Sequence, residues 1–108
     1  WPKKSEFGES ACGAAFSMLL NSNNVVECLK WLPVIQKSCD AGETPWIYYA
    51  SLYDHCNLAL GKPQRYLTHE GSLEKRNWEG DVNSINEWRA KIGLPGLSYK
   101  VVEAIENR

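Results

Sequence analysis

The 108-residue sequence predicts an all-α fold: about five helices in a small bundle, disulfide-stapled, with a short irregular or β-hairpin insert near residues 62–80. Three observations predict it. Apolar residues recur at three- and four-residue steps along successive runs, the period of an amphipathic helix. Glycine, proline and capping residues separate those runs. Cys12, Cys28, Cys39 and Cys56 form an even set, which suits a small stapled chain.

Along the chain, Ser5 to Ser10 offers capping residues before the apolar-rich run Ala11 to Leu20, where Cys12, Ala15, Phe16 and Leu19 make one stripe. Asn21 to Asn24 reads as a turn. The run Val25 to Ala41 puts Cys28, Leu32, Ile35 and Cys39 on one face; Pro33 interrupts it, so it is either a kinked helix or two short ones. Gly42 supplies a stop. Thr44-Pro45 reads as an N-cap followed by proline at the first helical position, and Trp46, Tyr49, Tyr53, Cys56 and Leu60 then follow on one stripe as far as Gly61. An aromatic stripe at this spacing is core packing before it is a cofactor box.

Residues 61–81 are charged, carry Gly61, Pro63, Gly71 and Gly80, and show no helical period. Arg65 to Thr68 and Arg76 to Trp78 are candidate strands of a loose hairpin around Gly71. Asp81 or Asn83 then caps a helix with Val82, Ile85, Trp88 and Ile92 inward, and Ser98 caps a last one with Val101, Val102 and Ile105 as its apolar side. The length suits one helical domain over residues 1–108.

The cysteine spacing restricts the pairings. On one helix, Cys28 and Cys39 lie about 16 Å apart along the axis, beyond disulfide reach. If the helices either side of residues 40–44 pack antiparallel, Cys28 and Cys56 are equidistant from the turn and come level. Cys39 and Cys56 would instead be offset by about 15 Å. The expected bonds are therefore Cys28–Cys56 and, by exclusion, Cys12–Cys39. They imply a periplasmic or secreted protein; the alternative is four buried free thiols in the cytoplasm.

Composition excludes several classes. A hydrophobic fraction of 44% and a charged fraction of 23% describe a globular chain. Residues 1–60 carry four lysines against six acids and residues 61–108 eight basic residues against seven, so neither half has the basic field that nucleic acid requires. No apolar stretch is long enough for a membrane span. The cysteines lack zinc spacing, His55 and His69 do not complete a metal pattern, and no cofactor is called for.

The landmarks Trp1-Pro2, Ala14-Ala15, Leu52-Tyr53-Asp54, Gly61-Lys62-Pro63-Gln64-Arg65-Tyr66, and Asn86 to Arg89 running into Gly93-Leu94 cover nearly the whole chain. In that order they resemble an uncharacterised bacterial domain family with a W-P start and a G-K-P-Q-x-Y-G-T motif. Leu67 stands where the motif continues with glycine, and the Asn21-Ser22 region where a histidine is common. The resemblance implies a helical fold and assigns no activity.

Two functional readings follow. The first is a non-catalytic binding protein of the bacterial envelope, an inhibitor or immunity-type protein that occupies the surface of a partner protein such as a secreted toxin. Its contact residues are Gln64, Arg65, Tyr66, His69, Glu70 and Trp78, which combine rings, donors and both charge signs on one insert. Loss of Arg65 or Trp78 should then weaken association by about 2 kcal/mol with little loss of stability. The bland reading of the same insert is that Tyr66 and Trp78 close the end of a small core. The second is a small cysteine-dependent hydrolase: Cys12-Gly13 at a helix start as nucleophile, His69 as base and Asp81 as orienting carboxylate. Against it, Cys12 falls inside the helix rather than at its positive end. The consecutive Asp54, His55 and Cys56 point in different directions on a helix and serve no common site; Asp54 is expected to tie Arg65 or Arg89 to the helices.

Overall fold

The computed structural model describes residues 1–22, 24–70 and 77–107. They form six helices: α1 (Lys4–Phe7), α2 (Glu9–Asn21), α3 (Val25–Asp40), α4 (Trp46–Ala59), α5 (Val82–Lys91) and α6 (Tyr99–Glu106). The sixth element, absent from the expected five, is the single turn α1. It closes because Gly8, at φ 82°, breaks the helical path before α2 starts.

Asp81 and Ser98 cap where the sequence puts them, accepting from the Ser84 N–H at 2.8 Å and from the Val101 N–H. Asn24, read as turn, caps α3 by accepting from the Glu27 N–H, whereas no side chain of the Ser5 to Ser10 segment caps α2, whose N-cap is Gly8. Thr44 does not cap α4. Its hydroxyl accepts from the Trp1 indole N–H at 2.9 Å and lies 2.6 Å from the Ser38 hydroxyl, which leaves Pro45 as the N-cap. Pro33 sits inside one continuous α3, on its exposed side.

α2, α3 and α4 pack around Leu19, Cys28, Ile35, Cys39, Leu52 and Cys56, with Trp1, Trp31, Trp46 and Tyr49 against this core. The second cluster contains Leu67, Trp78, Ile85 and Val101, and joins α5 and α6 to the insert. The molecule is accordingly elongated, 45 × 27 × 19 Å.

Among the described residues there is no strand. The expected hairpin is replaced by an isolated parallel bridge between Gln64 and Trp78, and its turn at Gly71 and its residue Arg76 lie outside the described residues. A parallel bridge cannot belong to a hairpin, which pairs its strands antiparallel. No described helix is long and apolar enough to cross a membrane.

All four cysteines are buried free thiols, so the fold is held without the expected staples. The helix geometry behind that expectation does hold. The Cys28 side chain acts on the Cys56 thiol across α3 and α4, and Cys12 lies near enough to act on Cys39. The thiols instead find backbone acceptors: Cys28 at Leu19 O, Cys12 at Pro2 O and Cys39 at Pro45 O. The apolar packing of α3 on α4 closes the pair without sulfur chemistry.

Candidate functional site: the insert and its arginine

The segment after α4 is organised by two buried polar side chains. Asp54, fully buried on α4, accepts from the N–H groups of Arg65 (2.9 Å), Tyr66 (3.2 Å) and Thr68 (3.0 Å) and from the Thr68 hydroxyl (2.7 Å). Four donors compensate its desolvation. The sequence expectation that Asp54 takes a guanidinium is corrected in detail: Arg65 supplies its backbone N–H. Arg89 reaches the same loop by donating to Tyr66 O at 2.9 Å and to Pro95 O at 2.7 Å. Burial lowers the Arg89 pKa, against the raising influence of Glu70 and Asp54.

Gln64, also fully buried, pairs both ends of its amide with the backbone of His69, accepting from its N–H at 2.9 Å and donating to its carbonyl at 3.1 Å. Its own N–H donates to Asn77 O, and its carbonyl accepts from Glu79 N–H. Every hydrogen-bonding group of Gln64 is thus engaged within the chain. Leu67, at φ 50°, is the one non-glycine described residue in the left-handed region, and its side chain is fully buried in the second cluster.

Of the six expected contact residues, three face inward. Gln64 is spent on the loop, while Tyr66 and Trp78 are each 7% exposed. Tyr66 packs edge-on against Tyr49 and Tyr53, and burial raises its pKa while the Arg65 guanidinium pulls it down. Of the other three, Glu70 is exposed and Arg65 and His69 are half-buried. His69 is half-fixed: its Nε2 lies 3.2 Å from Ser51 O, which makes Nε2 the protonated nitrogen, and its ring stands 6.2 Å from that of His55. Burial and His69 lower the His55 pKa.

Arg65 has the most unusual setting. Its guanidinium carbon lies 5.0 Å from the centre of the Tyr53 ring and 5.6 Å from that of Trp88. Gly80 makes room for the second ring, since a Cβ there would meet Trp88 at 3.0 Å and a φ of 72° already favours glycine. The Arg65 Nε is buried without a hydrogen-bond partner; Glu79 stands at 3.7 Å, in a pair whose side chains are 38% and 42% exposed. The result is a planar cation held between two rings, with its donor capacity only partly used. The sequence signal missed was Tyr53 and Trp88, both assigned to core stripes, each of which lends a face to Arg65.

The hydrolase residues are engaged separately. Cys12, fourth residue of α2 and buried, has its sulfur against Pro2 O and Glu43 O. His69 is held at α4, and Asp81 caps α5, where the Ser84 N–H lowers its pKa. Each spends its hydrogen bonds on a different element. No group of three metal-ligating side chains gathers among the described residues. Comparison with family models, with curated proteins and with solved structures finds no match.

Proposed function

We propose that this chain is a non-catalytic binding protein whose contact surface centres on Arg65, flanked by His69 and Glu70. The observation that supports it is the half-buried guanidinium set 5.0 Å from the centre of the Tyr53 ring and 5.6 Å from that of Trp88. A fork already oriented by two rings loses little freedom on meeting a partner carboxylate, and arginine is a common interface anchor for that reason. The expected partner is a protein, and an envelope inhibitor of a secreted toxin remains the favoured class by its size and helicity.

The test is site-specific photo-crosslinking in the native host, with the probe at Glu70 on the insert or at exposed Lys100 on α6. A discrete product from position 70, lost when Arg65→Ala is added and absent from position 100, supports the reading. Identical products from both positions, or one indifferent to Arg65, sinks it.

A further inference from the structure

A second, separate feature lies at the opposite cluster. Trp1, Ala15, Met18, Glu27 and Trp31 line a groove of about 340 Å³ beside α2 and α3. The two indole rings have their centroids 6.4 Å apart and their planes inclined at 50°. Both are pinned by their polar edges. The Trp1 N–H donates to the buried Thr44 hydroxyl at 2.9 Å, and the Trp31 N–H donates to Glu27 Oε1 at 3.2 Å. With those N–H groups spent inside the chain, the rings have only π faces to offer a ligand. Met18, 75% exposed, overhangs the groove as a flexible apolar rim.

Among the described residues that line the groove, Glu27 carries the only ionisable side chain, and Trp1 adds its α-amino group. Lys30 approaches Glu27 only at 3.9 Å, with its side chain 71% exposed, and an exposed pair of this kind neutralises little. Ring faces carry the negative lobe of the aromatic quadrupole, so indoles and carboxylate all favour a cation. The kind of cation follows from hydrogen bonding. A primary ammonium brings three donors and a guanidinium five, and each must find an acceptor when desolvated. The groove offers one carboxylate, with Oε1 already accepting from Trp31. A cation that carries methyl groups in place of N–H satisfies the site without leaving donors orphaned.

We propose that this groove is a binding site for a quaternary ammonium group of the choline type. The rings supply cation–π contact, Glu27 supplies the counter-charge, and Met18 covers the methyl groups. The same headgroup exists on free solutes and on phosphatidylcholine, and both present identical chemistry to the groove.

The experiment titrates the full chain with choline, following tryptophan fluorescence and heat, beside the neutral isostere 3,3-dimethylbutan-1-ol. Choline should saturate, and the isostere should bind at least about fivefold more weakly, because it lacks the charge the rings and Glu27 recognise. Glu27→Gln keeps an acceptor for the Trp31 N–H and removes the charge, so it should weaken choline by about threefold to tenfold. Met18→Arg, at an exposed rim position that spares the core, should block binding while leaving the thermal midpoint in place. Sedimentation with phosphatidylcholine vesicles, reversed by free choline, would assign the headgroup to lipid; saturation by choline without vesicle binding assigns it to a solute. Equal binding of the isostere, no saturation by choline, or indifference to both substitutions overturns the proposal.

Discussion

The carboxylate of Asp54 holds Thr68 twice, accepting its backbone N–H at 3.0 Å and its hydroxyl at 2.7 Å through the same oxygen. With the N–H groups of Arg65 and Tyr66 on the other oxygen, one side chain of α4 shapes the whole insert. Asp54→Asn keeps the volume but places an NH₂ group against backbone donors. It should cost about 2–4 kcal/mol in urea unfolding, because buried N–H groups lose their acceptor. A cost within error would mean that the loop finds another anchor.

Arg65 and Trp78 now separate. Trp78→Ala should cost about 3–5 kcal/mol of stability, as expected for a ring buried in the second cluster. Arg65→Ala should leave stability within about 1 kcal/mol and abolish the position-70 crosslink. Arg65→Lys, which keeps charge and loses the planar stack, should behave like the alanine variant in crosslinking.

Leu67 provides a reversal of the usual order of side chains. Both Leu67→Ala and Leu67→Gly lose a fully buried leucine, yet at φ 50° only glycine escapes the left-handed strain. The glycine variant should be more stable than the alanine variant by about 1 kcal/mol. Chemical denaturation of the two proteins side by side decides it.

The thiols predict an alkaline limit for the reduced protein. Burial, then Asp40, push Cys39 from 9.0 up to about 11, and burial with Cys28 does the same to Cys56. Between those values the unfolded chain has lost protons that the folded chain keeps. Their contribution is complete below pH 9.0 and disappears as pH rises through about 11. Melting temperature should fall across that window, and less steeply in Cys39→Ser. Alkylation of the native protein at neutral pH should be slow at all four sites, because each sulfur is buried.

On the acid side, His55 is the group to follow. Its pKa is lowered by burial and by His69, so the folded state disfavours the charged ring. The stability this represents is present above the ordinary value of 6.5 and is lost as pH falls through the lowered one. His55→Gln should flatten the stability profile in that acidic window, read from urea midpoints at successive pH values.

The helices were legible because periodicity and caps agree. Asp81, Ser98 and the stripe Cys28–Ile35–Cys39 occupy the roles their spacing implies. Leveling of Cys28 with Cys56 followed from counting residues either side of a short turn; whether sulfurs bond depends on surroundings that spacing does not contain. The insert was legible only in composition. Gln64, Tyr66 and Trp78 are residue types common at interfaces, but Asp54 draws the loop inward from eleven residues upstream of Arg65, and all three are buried. Arg65 is half-buried, and its flanking rings, Tyr53 and Trp88, come from elements far apart in sequence, so no local pattern pairs them.

Tyr66 and Leu67 are consecutive, yet the first stacks with the rings of α4 while the second fills the cluster under α5 and α6. One peptide unit therefore acts as a rivet between α4 and the second cluster. A partner that grips the neighbouring Arg65 would steady both sides of the rivet at once. Amide exchange should then slow in α4 and in α5 together, far beyond the footprint of the contact itself.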